Sequence, residues 1–279
     1  MPSLIIAGTP AGGAGKSSLA LAVAEAIAAH HANLVVLDAD IAGENGKKVR
    51  LDAALAGRPG VSVGMIGTGP TDDELRADKN AAVRHWAKIR EIAKAVDVTL
   101  LDLGANVLQK LGDHMSTAAD LYDEDGIAIT LLVPVTARGG CLRKAIEGVR
   151  IWADAVPTAA VVIVQNLIAG PVKHLAEYAE LLALVPGATQ MELPTCLSHG
   201  TEAWSRLEAV PLSPWQAVDM KTKDLAAALN SRPGQPPLLD EEVLALKADI
   251  KKWRRAMTAA GFDSLIDGIL MGNALSPAV

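Results

Sequence analysis

Apolar positions fall into two alternating kinds of segment. Short unbroken runs rich in branched aliphatic residues occur at Leu4–Ala7, Leu34–Leu37, Val98–Leu103, Ile127–Val133 and Ala160–Val164. Such runs predict strands buried on both faces, as in a parallel sheet. Between them, apolar residues recur with helical spacing over Ser17–Ala29, Asn80–Ala95, Val107–Ala118 and Leu142–Ala155. Strand and helix in alternation predict an α/β fold, a doubly wound and mostly parallel sheet with helices on both faces. The Gly- and Pro-punctuated stretch from Gly46 to Asp78 holds a weaker strand pattern at Val61–Ile66. Beyond Ala169-Gly170-Pro171 a helix-like run reaches Leu184, and Met191–Pro194 reads as a last strand. The remainder reads as helical, interrupted at Arg232-Pro233-Gly234-Gln235-Pro236-Pro237. With no internal repeat, residues 1–279 are expected to form one domain, with about residues 201–279 packed as helices on the same sheet.

Composition agrees with this layering. Half of the 279 residues are hydrophobic but only 3% are aromatic, so the core must come from Ala, Val, Leu and Ile. A net charge of −6 means that affinity for nucleic acid or anionic lipid would require a local basic patch. Cys141 and Cys196 form no metal-ligand spacing and no disulfide framework, which points to a reducing cytoplasm. The longest apolar run, Ile127–Val135, is too short to span a membrane, and the N-terminus has no charged region followed by an apolar one.

The strongest chemical signal follows the first strand: Gly8-Thr9-Pro10-Ala11-Gly12-Gly13-Ala14-Gly15-Lys16-Ser17-Ser18, with a helix directly after it. A Gly-rich turn opening a helix can aim backbone N–H groups at phosphate. Lys16 can reach outer phosphates, and Ser17 can ligate magnesium. Pro10 stands where the GxxxxGK[ST] pattern has its first glycine. A dinucleotide-binding loop is the nearest competing reading, with Asp38 as the ribose carboxylate, but Lys16-Ser17 has no use there. The second, third-clear and fifth-clear strands end in polar residues, Asp38-Ala39-Asp40, Asp102 and Asn166, at the strand ends where ligands of open α/β sheets bind.

These residues together resemble the ParA and MinD family of P-loop ATPases, whose loop reads KGGxGK[ST], and the resemblance covers about residues 4–200. It implies a P-loop NTPase fold of SIMIBI type, with ATP and Mg2+ bound by Gly12, Gly13, Ala14, Gly15, Lys16, Ser17 and Ser18. It assigns Asp40 to positioning the attacking water, Asp38 to supporting the metal and Asp102 to a Walker B role. Asn166 corresponds to an adenine-reading position and Pro194 to the following base-side loop. Ala11 departs from the pattern: it occupies the place of the signature lysine that crosses to a partner's phosphates. On charge alone, the candidate replacements are Arg138, Lys47 and Lys48.

Lys247, Lys251, Lys252, Arg254 and Arg255 form a basic cluster around Trp253, suited to DNA phosphates without sequence preference; the plain alternative is a solvated helix face. The apolar stripe Phe262, Leu265, Ile266, Ile269 and Leu270 carries Asp263 and Asp267 and no cation, which suits core or dimer packing and not a membrane helix. The expected function is an ATP-dependent dimerising switch that positions plasmid DNA or another large cargo, is reset by hydrolysis, and is stimulated by a partner protein. The competing classes are an ATP-dependent ligase of the dethiobiotin synthetase or cobyrinate amidase type and a nucleotide sensor that hydrolyses little.

Overall fold

The computed structural model describes residues 1–30, 32–39, 51–105, 107–231 and 234–271. The strands are β1 (Ser3–Ala7), β2 (Leu34–Ala39), β3 (Val61–Met65), β4 (Val98–Leu103), β5 (Ala128–Val135), β6 (Ala160–Asn166) and β7 (Thr189–Leu193). They form one sheet in the order β3-β2-β4-β1-β5-β6-β7. Every pairing is parallel. The weak Val61–Ile66 pattern is thus a real strand. It lies at the sheet edge and is only partly buried, which is why its apolar signal is diluted by Ser62 and Gly64.

Side chains of a strand alternate between faces, so β1 feeds two cores. Leu4 and Ile6 pack with α4 (Ala81–Ala95), α5 (Val107–Glu124), α6 (Cys141–Ala155) and α7 (Ala176–Leu184), whose apolar stripes include Trp86, Leu111, Trp152 and Leu181. Ile5 and Ala7 face α1 (Lys16–Ala29) and the C-terminal helices α8 (Glu202–Leu207), α9 (Pro214–Asp219), α10 (Thr222–Leu229), α11 (Asp240–Ala259) and α12 (Phe262–Leu270). Two short helices, α2 (Leu51–Ala54) and α3 (Asp72–Ala77), flank β3. Helix α1 is apolar nearly all round, with Leu19 to Ala24 buried. It has the sheet on one side and α12 on the other, so its middle turns leave little solvent face to carry polar residues. Its one buried acid, Glu25, is ion-paired with Arg58.

The apolar stripe of the last helix is core. Phe262, Leu265, Ile266 and Ile269 are buried in the α1-side cluster, and Ser3 Oγ donates to the Ile269 carbonyl at 3.3 Å. Arg206, itself buried, knits the helical region: it donates to Glu202 at 2.9 Å, to Asn230 Oδ1 at 2.9 Å and to the Pro236 carbonyl at 2.7 Å. Trp253, read from sequence as the centre of a basic surface, is also core. It packs edge-on against Trp204 and Trp215, with ring centroids 6.1 and 5.3 Å away.

Because Ile266 is fully buried, Ile266→Ala is expected to lower stability by about 2–5 kcal/mol. Urea unfolding followed by tryptophan fluorescence reads this directly. A change below about 0.5 kcal/mol would mean that α12 contributes nothing to the core.

Candidate functional site

The chain leaves β1 toward β2 and returns through β4 to place β5 on the opposite side of β1. This reversal opens a crevice at the C-terminal ends of the strands. The loop Gly8–Gly15 fills that point and leads into α1. Among the described residues, the backbone N–H groups of Gly12, Gly13 and Ala14 have no hydrogen-bond acceptor. Two of the loop carbonyls are taken from the protein side. Lys16, 7% exposed, donates from Nζ to the Ala11 carbonyl at 2.7 Å, and Asn166 donates from Nδ2 to the Ala14 carbonyl at 3.1 Å. The first turn of α1 has no side-chain cap and no acidic residue, so its positive end is not neutralised locally. A turn with free consecutive N–H groups, a helix N-terminus and a lysine folded into it is chemically suited to a polyphosphate.

Two glycines make this geometry possible. Gly15 has φ of 91°, and a Cβ there would lie 2.4 Å from Asn166 Nδ2. Gly148 on α6 lies against Pro10, where a Cβ would come within 2.7 Å of the proline ring. The departure of Pro10 from the loop pattern is thus matched by a glycine on the helix behind it. One turn of loop is further packed from below, since Ala11, Ala14 and Cys141, at the start of α6, form a small buried cluster of their own. Burial pushes the Cys141 thiol up, against the lowering effects of the Thr136 backbone and the charges of Lys16 and Lys144. Burial likewise raises Cys196.

Asp38 and Asp102 are brought together by strand register. They are direct partners across β2 and β4, and Asp102 is also the partner of Ala7, the last residue before the loop. By alternation both lie on the α1 side of the sheet, in line with Val36 and Leu100. Asp102 is 2% exposed and Asp38 partly exposed. Among the described residues no three His, Cys, Asp or Glu side chains gather as a metal site. This donor set of one hydroxyl, Ser17, and two carboxylates fits magnesium, which keeps several waters and binds with substrate phosphates. Asp40, Lys47 and Lys48 lie outside the described residues.

On the far side of the loop, Asn166 accepts from the Ile168 N–H at 3.2 Å as well as donating to Ala14. The amide therefore clamps the loop and retains one N–H and one lone pair for another partner. Pro194 sits just after β7, and its carbonyl accepts from Trp253 Nε1 at 2.7 Å. The same loop is joined to α11 by Ser198 Oγ, which donates to Asp249 at 2.7 Å. Within the basic cluster, Lys247 is partly buried and donates to the Met220 carbonyl, whereas Lys252 stays exposed, 3.8 Å from Asp249 one turn earlier on α11. Lys251, Arg254 and Arg255 stay exposed and line a shallow concavity of about 410 Å³ with Val218 and Thr258.

Sequence reasoning missed Gly148, Cys141 and a concavity of about 600 Å³ lined by Gly67 to Thr71, Glu74, Arg84, His85 and Lys88. In it, burial holds His85 below its usual range, and Arg84 is paired with Asp78. Gly67 and Gly69, around Thr68, were the visible signal for a special turn.

No protein-family model matches the chain, and no curated protein does. Solved structures similar to it include a ParA family ATPase from Chlorobium tepidum, at 13% identity over 91% of this chain and 98% of that one, with a TM-score of 0.49. A cell division ATPase MinD from Pyrococcus furiosus is 14% identical over 90% of this chain and 99% of its own, with a TM-score of 0.48. A McdA variant from Cyanothece in complex with ATP is 13% identical over 88% and 96%, with a TM-score of 0.47.

Gly15→Ala is expected to destabilise the protein by about 1–3 kcal/mol in urea unfolding, because it forces a side chain into left-handed backbone and into Asn166. A raised thiol pKa keeps the neutral, unreactive form to higher pH. Neither cysteine should therefore react with a disulfide reagent such as DTNB in the folded protein at pH 8, and both should react on unfolding.

Proposed function

We propose that this chain is an ATP-binding switch of the ParA/MinD kind, which dimerises in its ATP state, engages a surface and is reset by hydrolysis. One observation carries the reading. The loop with free N–H groups and an inward-folded Lys16 sits beside two carboxylates, Asp38 and Asp102, held side by side by the register of β2 and β4. That is the set of groups that phosphoryl transfer to water requires, namely phosphate positioning, charge neutralisation and carboxylates at the metal side.

In this reading the N–H groups of Gly12, Gly13, Ala14 and the first turn of α1 hold phosphate oxygens, and Lys16 exchanges the Ala11 carbonyl for an outer phosphate oxygen. A magnesium ion bound with the nucleotide would be held by Ser17 and, through water, by Asp102 and Asp38, and would neutralise phosphate charge. Asp40 positions the attacking water, as the sequence resemblance implies. The remaining N–H and lone pair of Asn166 suit a base edge that both accepts and donates, and Pro194 flanks it. The surface bound is DNA, through the phosphate contacts of Lys251, Arg254 and Arg255.

A second reading, a nucleotide sensor with little turnover, is favoured by Ala11. It is 2% exposed and packed on Cys141 and Ala14, so no cation extends from that position toward a partner.

Solution mass by light scattering tests the switch. ATP with magnesium should give a dimer that ADP does not, and Asp40→Ala should make that dimer persist. The same mass in every nucleotide state would remove the switch reading, whereas an ATP dimer with negligible phosphate release would select the sensor. Replacing Lys251, Arg254 and Arg255 together by Ala should weaken duplex DNA binding uniformly across sequences and reduce the slope of log affinity against log salt by about 3. Fluorescence anisotropy at several salt concentrations measures both.

A further inference from the structure

The turn after β5 brings a second cation to the phosphate loop. Arg138 lies between the end of β5 and the start of α6, and its Nη1 is 4.0 Å from the position a Cβ on Gly13 would occupy. The guanidinium is exposed and makes no ion pair among the described residues. Its backbone is fixed, because the Arg138 carbonyl accepts from the Cys141 N–H at 3.2 Å and Cys141 packs directly on Ala11 and Ala14. A rigid anchor beneath the loop thus carries a long cationic side chain around to Gly13.

We propose that Arg138 is a phosphate-contacting residue supplied by the same chain, which takes over at the outer phosphates the charge that Ala11 cannot provide. This rests on the nucleotide-site reading above. Gly13 lies three residues before Lys16, so Arg138 reaches the loop ahead of α1 and would join Lys16 at the outer phosphates. A planar guanidinium can bind two oxygens of a terminal phosphate at once, which favours a triphosphate over a diphosphate. The anchor is part of the chain's own α6, so the contact needs no second subunit.

Equilibrium binding of fluorescent mant-ATP and mant-ADP with magnesium tests this on wild type, Arg138→Ala, Arg138→Lys, Lys144→Ala and Lys16→Ala. Arg138→Ala should lose about tenfold in ATP affinity, the size of one good charge-assisted contact, with ADP affinity changed by less than about threefold. Arg138→Lys should recover part of the loss. Lys144→Ala, which removes the same charge close by, should leave the ATP-to-ADP ratio within about twofold. Unchanged thermal melting of Arg138→Ala excludes misfolding, as expected for an exposed side chain.

Equal losses on both nucleotides, no loss at all, or the same loss in Lys144→Ala would overturn the assignment while leaving the nucleotide site intact. A loss seen only at protein concentrations where wild type dimerises would place Arg138 across an interface and overturn the same-chain assignment. If wild type binds neither nucleotide and behaves as Lys16→Ala does, the nucleotide-site reading itself fails, and this proposal with it.

Discussion

Two hydrogen bonds to carbonyls, Lys16 to Ala11 and Asn166 to Ala14, decide what the first loop of this protein can do. A peptide unit carries its donor and its acceptor on opposite sides, so holding the Ala11 carbonyl from within turns the Gly12 N–H the other way. The N–H groups of Gly12, Gly13 and Ala14 have no acceptor among the described residues, at the mouth of a crevice and in front of an uncapped helix. The surrounding packing serves this arrangement. Gly148 makes room for Pro10, Cys141 supports Ala11 and Ala14, and β1 is held by β4 on one side and β5 on the other.

The crevice is also tied to the opposite end of the chain. Helix α11 reaches the loop after β7 through Trp253 and Ser198, two polar contacts in a region otherwise held by apolar packing. Buried polar groups need partners, and these bonds fix the register of α11 against the Pro194 segment in a way that apolar contact alone does not. The consequence for charge is that α11 turns Lys251, Lys252, Arg254 and Arg255 outward while Lys247 donates to the Met220 carbonyl. A chain of net charge −6 thereby carries one small face of opposite sign.

Much was legible from sequence alone. The seven strands and the loop between β1 and α1 depend on local patterns: a run of aliphatic residues buried on both faces has few alternatives, and a Gly-rich turn before Lys16-Ser17 has a backbone chemistry of its own. The edge strand β3 was the weakest of these, because an edge has only one covered side. The pairing of Asp38 with Asp102, the clamp of Asn166 on the loop, the approach of Arg138 to Gly13, and the burial of Trp253 were decided only by tertiary structure. Each depends on residues distant in sequence, such as the 152 positions between Ala14 and Asn166. Local periodicity specifies which face of an element is apolar. Which element that face will meet, and which polar groups arrive with it, is set by sheet order and strand register.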